Sequence, residues 1–337
     1  MHSKKEVIVA AIDTGKRWSK SGMYNENEEV IRLQTSTSAQ KDEGQMGTGY
    51  KIKYMRKDYV VGDDDNVHMS ENSRNESKLT PEHKISTLTG LALLLDKAGY
   101  EHQGESICLG INVPITEFKD KTTRPKYEAY YEGTHEIKVG AYDYSFEIKA
   151  VYPLFEGYGT LCRYYEMCLG EEVLIINFGS LNTTFVYFEN MVPKTKWTDS
   201  FDNGCNALIS RIQSKVNSKN RNFNLSEKQI HKIVDGDKKL IERIDKRDKT
   251  IIPFIFKLIE EELDVILTRI RDFQVPLETS YIICTGGGAL LYKNALEKVF
   301  KAKEYDYYIS EDPLYDDVEG FLEAVYDLVD DAEEDEE

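Results

Sequence analysis

The chain opens with an apolar run, EVIVAAI at residues 6–12, which reads as a buried strand. SGMY and VIRLQTS follow as its expected antiparallel neighbours, with NENEE as the turn between them. YKIKYMRKDYVVGDDD is β-rich and ends in a polar stretch through SENSRNESK, expected to be a solvated loop. TPEHKISTLTGLALLLDKAG carries helix signals: Thr80 as N-cap, Pro81 at the first helical position, and Gly99 as the stop. Between them Ile85, Leu88, Leu91 and Leu95 fall at helical spacing. SICLGINVP is a strand closed by Pro114, and YEGTHEIKVGAYDYSFEIKAVYPL alternates as a hairpin leading into another strand. GTLCRYYEMCL is expected to be a helix.

The second half repeats the design. EVLIINFGSLNTTFVYFENMVPKTKW reads strand, glycine turn, strand, further strand, as residues 6–34 do. NALISRIQSKV is a helix. From Pro253 to Phe273 a longer helix carries Ile255, Leu258, Ile259, Leu263, Ile266, Leu267 and Ile270 on one face, and Pro276 ends it. SYIICTGGGALLYKNALEKVF reads as a buried strand, three glycines and a helix. Two strand–glycine turn–strand units, each opening one half, predict an internal duplication. No Pro- or Ser-rich linker separates the halves, so two lobes around a cleft are expected.

Composition narrows the function. With 337 residues the chain has enough length for two sizeable cores or one large bilobal domain. A hydrophobic fraction of 40% and a charged fraction of 31% fit a soluble globular protein. No segment has the length of a membrane span, and MHSKKEVIVAAID lacks an apolar signal-peptide region, so a cytoplasmic location is expected. Cys108, Cys162, Cys168, Cys205 and Cys284 are odd in number and scattered, as reduced thiols would be. The net charge of −17 disfavours direct binding to a nucleic-acid backbone, which needs a basic face. The closing run YDLVDDAEEDEE reads as a solvated, frayed tail, with an acidic docking tail for a basic partner as the alternative. No histidine pair forms HExxH, Cys162 and Cys168 have no second pair at zinc spacing, and Asp63, Asp64 and Asp65 fail the EF-hand spacing at Val67.

Three glycine turns remain: IDTGKRWSK at 12–20, INFGSLNTT at 176–184 and ICTGGGALL at 283–291. Asp-Thr-Gly is ordinary turn chemistry on its own. It also suits a phosphate loop, where backbone N–H groups face an anion and Asp13 faces its metal. The first two turns join hydrophobic strands and let the backbone approach a phosphate chain from two sides. The third leads into a helix and permits a flat, neutral group, such as a purine with its ribose, to pack against the backbone. The ordered triple is far more specific than any one turn.

In that order the motifs resemble the phosphate-1, phosphate-2 and adenosine motifs of the actin–sugar kinase–heat-shock chaperone ATPase superfamily. Within it the chain is similar to bacterial actin-like plasmid-segregation proteins of the ParM/StbA type. GINVPITEFKD (Gly110–Asp120), FEIKAVYPLFEGYGTL (Phe146–Leu161) and DSFDNGCNALISRI carry that resemblance further, so that it spans Val7 to about Leu328. It implies an α/β, actin-like fold of the duplicated ribonuclease H-like kind, with a nucleotide cleft between two domains. Domain I would be residues 1–155, completed by a C-terminal helix at about 314–329; domain II would be 156–313, with 330–337 as an acidic tail.

The resemblance also implies roles. Asp13 falls on the Asp that organises Mg²⁺ through water, with Thr14, Gly15 and Lys16 beside it in the same loop. Lys20 falls on the phosphate-contacting Lys, and Glu156 on the residue that positions the attacking water. Gly179, Ser180 and Thr183 fall on phosphate-2, and Gly286, Gly287 and Gly288 on the adenosine motif. Two positions depart. Asn177 stands where phosphate-2 normally opens with Asp, so weaker Mg²⁺ binding and slower hydrolysis are expected. Lys16 replaces a small residue, and either adds positive charge near the terminal phosphate or points to solvent.

The expected activity is hydrolysis of ATP or GTP, driving assembly of a filament of identical subunits. DNA would be held by a basic DNA-binding adaptor at a centromere-like site. A non-polymerising small-molecule kinase or phosphatase of the same superfamily is the alternative. A chaperone-like ATPase would need a substrate domain after Gly288, where too few residues follow.

Overall fold

The opening run forms β1 (Ile8–Thr14), and its side chains divide between two cores. Ile8, Ala10 and Ile12 enter one core, while Val9 and Ala11 enter another on the opposite face. A strand covered on both faces needs apolar residues at every position, which is why this run does not alternate. The computed structural model describes residues 7–42, 49–62, 77–221 and 223–334. The chain forms two units, Met1–Tyr165 with Tyr315–Glu337, and Glu166–Leu314. Asp63–Asp65 and the polar stretch through Asn75 lie outside the described residues.

In unit 1, β1 is followed by β2 (Trp18–Tyr24), β3 (Val30–Ser36), β4 (Ala39–Lys41), β5 (Tyr50–Tyr54), β6 (Lys57–Val61), β7 (Gln103–Val113), β8 (Gly133–Val139) and β9 (Tyr142–Phe155). They make one sheet in the order β3-β2-β1-β7-β9-β8-β5-β6-β4. The β2–β3 turn falls at NENEE, with Tyr24 opposite Val30. The β1–β2 hairpin places Asp13 directly opposite Lys20, which turns their spacing in sequence into a cross-strand pair. β7 runs parallel to β1, with Ile111 beside Ile12.

The helix Pro81–Ala98 supplies the first cover. The Thr80 hydroxyl caps it by accepting from the His83 N–H at 3.3 Å, and Gly99 closes it at φ 84°. Its Ile85, Leu88, Leu91 and Leu95 pack with Ile12 and Leu109. The other face of β1 is covered by the helix Asp316–Glu334, through Val318, Phe321, Leu322, Val325 and Val329. Fully burying side chains of that size stabilises by roughly 1.5–3 kcal/mol each. This helix does not stop near residue 329, where the sequence reading ended it; it continues through the acidic residues to Glu334.

Unit 2 repeats the strand order. β10 (Glu172–Phe178), β11 (Thr183–Glu189), β12 (Val192–Pro193), β14 (Tyr281–Thr285) and β15 (Asp306–Ile309) lie as β12-β11-β10-β14-β15, with β13 (Asp199–Phe201) on β11. This matches β3-β2-β1-β7-β9: an antiparallel meander beside two parallel strands. The fold is therefore α/β and duplicated. The helices Cys205–Lys219, Ile251–Asp272 and Ala289–Lys303 build the unit 2 core on β10 and β14. The long helix begins two residues before Pro253, which sits in the first turn where its missing N–H breaks no helical bond. GTLCRYYEMCL is not one helix but two short ones, Tyr158–Arg163 and Tyr165–Cys168, interrupted at Tyr164.

Candidate functional site

The sequence-predicted residues fall into two sets, one in each unit. In unit 1, Lys20 Nζ donates to Asp13 Oδ2 at 2.7 Å, and Asn112 Nδ2 donates to the other oxygen, Oδ1. Asn112 Oδ1 in turn accepts from the Thr14 N–H at 2.9 Å, which ties β7 to the end of β1. Burial opposes charge on Asp13, but the Lys20 and Lys78 ammonium groups outweigh it and hold the carboxyl below the usual range. Burial likewise opposes charge on Lys20, and Asp13 outweighs it, raising the ammonium above its ordinary value. Both groups therefore stay ionised inside the fold.

The turn after β1 is tight. The Gly15 N–H donates to Trp18 O at 3.1 Å, and a Cβ on Gly15 would stand 2.7 Å from that same oxygen. Thr37 braces the turn by donating its hydroxyl to Gly15 O at 2.7 Å. Lys16 lies in this turn, half-buried.

Glu156 belongs to unit 1, directly after β9. Its Oε1 lies 3.4 Å from Lys78 Nζ, and the lysine side chain is only 5% exposed. Gly157 follows with φ 90° and starts the helix Tyr158–Arg163. The Asp317 carboxylate reaches this turn from the C-terminal helix. It accepts from the Gly157 N–H at 3.1 Å, the Thr160 N–H at 2.9 Å and the Thr160 hydroxyl at 2.8 Å. Burial, helped by the nearby Asp13 charge, pushes Asp317 up to about 6 against those hydrogen bonds.

In unit 2 the second turn copies the first. The Gly179 N–H donates to Asn182 O at 2.9 Å, and a Cβ on Gly179 would stand 2.7 Å from that oxygen. Asn177 thus holds the place in β10 that Asp13 holds in β1. Thr183 donates its hydroxyl to Asn203 O at 2.8 Å, and the Asn206 N–H donates to Ser180 O at 2.9 Å, docking the helix Cys205–Lys219 on the loop.

The third glycine turn meets the second. Gly286, at φ 81°, lies against Asn177, and the Gly288 N–H donates to Phe178 O at 2.9 Å. A Cβ on Gly286 would overlap Asn177 Oδ1, and one on Gly288 would overlap Cys205 Sγ. Two of the three glycines are therefore required by protein packing. At Gly287 a Cβ would meet only Leu314 Cδ1, at 3.3 Å.

Asn112, Lys78 and Asp317 were not singled out from sequence. Asn112 left a signal, a polar residue inside the apolar run CLGINVP, where it is fully buried. Asp317 left a weaker one, an acid beginning an apolar helix face. Lys78 left none. Among the described residues no group of three or more His, Cys, Asp or Glu could hold a metal ion, and no helix is long and apolar enough to cross a membrane.

Residues 11–159 match the family model described as the N-terminal domain of actin-like proteins. No curated relative matches the chain. Among solved structures, the Alp12 filament structure is 22% identical, with a TM-score of 0.69 over 96% of this chain and 100% of that one. Bacillus thuringiensis ParM with ATP is 15% identical, with a TM-score of 0.68 over 96% and 100%. The archaeal actin homolog Ta0583 is 13% identical, with a TM-score of 0.69 over 96% and 100%. At these identities the likeness is one of fold.

Proposed function

We propose, from the family match over residues 11–159 and from the fold, that this chain is an actin-like protein and a filament-forming nucleoside triphosphatase. It binds ATP or GTP with Mg²⁺, polymerises with copies of itself in the cytoplasm, and hydrolysis then weakens the polymer. The observation that carries this reading is the repeated hairpin turn, Asp13 with Gly15 and Asn177 with Gly179, each closed by the same backbone bond. Similar folds described as a filament and as bound to ATP support it.

Mg²⁺ fits as an ion carried on phosphate oxygens, because it needs few protein ligands and keeps several waters. When bound, it would supply positive charge that offsets the charge of the phosphates. Asp13, held ionised, would hold that ion through its water, and Lys20 would contact phosphate. Asn177 hydrogen-bonds water in the mirrored position without adding charge. Glu156 accepts a hydrogen bond from the attacking water. Gly287 is the third-turn glycine open to a base and ribose. With a net charge of −17, the partner that links the filament to plasmid DNA is a basic adaptor.

Negative-stain microscopy with and without nucleotide and Mg²⁺ tests the filament. Filaments only with both are expected; nucleotide turnover without filaments favours the small-molecule kinase or phosphatase. Phosphate release and light scattering on Glu156→Ala test the chemistry. Binding and assembly should persist, release should fall about 10²–10³-fold, and disassembly should slow. Wild-type release in a mutant that binds nucleotide normally would remove Glu156 from the mechanism.

A further inference from the structure

We infer that Asp317 is a positioning residue for Glu156, acting from the C-terminal helix by holding the backbone turn on which Glu156 stands. The inference rests on the proposed role of Glu156 in water activation.

The helix Tyr158–Arg163 starts at Gly157, which has no side chain to cap the first N–H groups. Asp317 supplies that cap from 157 to 160 positions along the chain. Its Oδ1 takes the Thr160 N–H and hydroxyl, and both oxygens share the Gly157 N–H, at 3.2 and 3.1 Å. An asparagine has one acceptor oxygen and could not meet this set of donors. The two helices also touch through backbone: a Cβ on Gly159 would stand 2.7 Å from Asp317 Cα, and one on Gly320 would stand 2.9 Å from Gly159 Cα. With no side chain between them, a shift of Asp317 carries the turn with it. Glu156 is thus held at two points, its carboxylate by Lys78 and its following peptide by Asp317.

The other charges around Asp317 have their own partners. On its own helix, Asp316 pairs with Arg163 at 3.5 Å, and Glu319 pairs with Arg163 and with Arg32 of β3. Asp13 of β1 and Lys20 of β2 pair with each other and act on Asp317 through their field, and Cys162 faces it from the 158–163 helix. A buried carboxylate next to Asp13 is costly to ionise, and the cap requires the ionised form, so the charge is spent on the turn.

The test uses the full chain carrying Asp317→Asn, with Thr160→Val as a milder variant that removes only the hydroxyl donor. Hydrogen exchange without nucleotide should rise about tenfold or more at the Gly157 and Thr160 amides in Asp317→Asn and stay unchanged across β1 and β2. Phosphate release at saturating nucleotide should fall about tenfold or more, while nucleotide affinity changes less than about twofold. Wild-type release should decline as pH falls through about 6, and Asp317→Asn should lack that limb. The γ-phosphate's own titration is common to both proteins. Unchanged exchange at Gly157 and Thr160 overturns the inference, as does loss of nucleotide affinity in step with turnover. If the wild type releases no phosphate, the proposed function fails, and the exchange measurement alone decides whether Asp317 holds the turn.

Discussion

Lys78 and Glu156, 78 positions apart in the chain, meet at 3.4 Å between Nζ and Oε1. The lysine arrives just ahead of the Thr80 cap, and the glutamate leaves the end of β9. Lys78→Met removes the cation and leaves a part-buried carboxylate without it. Stability should fall by about 2–4 kcal/mol, and Lys78→Met/Glu156→Gln should recover part of the loss. A double-mutant cycle by urea unfolding reads the coupling; strictly additive losses would show that the contact contributes nothing.

Asp13 and Asp317 should bend the pH dependence of stability in opposite directions. The folded Asp13 carboxyl is depressed below its ordinary 3.8, so its contribution is present above that pH and lost as pH falls through the folded value. Asp13→Asn should flatten the acid limb, and should also weaken Mg²⁺-dependent nucleotide binding about tenfold or more. Asp317 is raised to about 6, so its contribution is full below 3.8 and lost as pH rises through about 6. Relative to Asp317→Asn, the wild type should gain up to about 3 kcal/mol between pH 7 and 4. Unfolding curves at several pH values check both signs.

Gly286→Ala and Gly287→Ala should differ although the residues are adjacent. At Gly286 the left-handed backbone disfavours a side chain, and the new methyl would also stand 2.7 Å from Phe178 O. A loss of at least about 2 kcal/mol is expected. Gly287→Ala should cost less than about 1 kcal/mol, because only the flexible Leu314 side chain must yield. If Gly287 faces the nucleotide, its alanine variant should keep the melting temperature and lose affinity. Equal melting temperatures for the two variants would contradict the packing described for Gly286.

Removing everything after Asp327 should destabilise the protein. The sequence alone suggested a dispensable tail beyond that point, but Val329 is 6% exposed and packs in the core formed with Val9 and Ala11. A loss of about 1.5–3 kcal/mol is expected from the valine alone. Truncation after Asp331 should change stability by less than about 0.5 kcal/mol. Thermal unfolding of the two truncations distinguishes them, and equal midpoints would return Val329 to the tail.

The strands were legible wherever a single face or a continuous run recorded burial, as in β1, the β2–β3 turn and the β8–β9 hairpin. The helix Pro81–Ala98 was legible to its ends because Thr80 and Gly99 are local signals. Lys78, Asn112 and Asp317 were not, because the sheet order and the returning C-terminal helix bring them to Asp13 and Glu156 from distant positions. The Tyr164 break was also hidden, since no glycine or proline stands between Arg163 and Glu166 to signal it. At Gly286 and Gly288 of the third turn a Cβ would run into Asn177, Phe178 and Cys205, and that packing was hidden because the sequence separates those residues from the glycines.

The helix that covers β1 also sets a schedule for biosynthesis. Unit 2 is one uninterrupted stretch, Glu166–Leu314, and its synthesis is complete before Phe321 and Leu322 are made. At about 5–20 residues per second, Val9 and Ala11 wait on the order of tens of seconds for their cover. Through that interval the first strand of unit 1 keeps an oily face to water, a surface that nascent-chain chaperones recognise. A chain that ends at Leu314 and is released from the ribosome should therefore keep unit 2 resistant to proteolysis while unit 1 is cut.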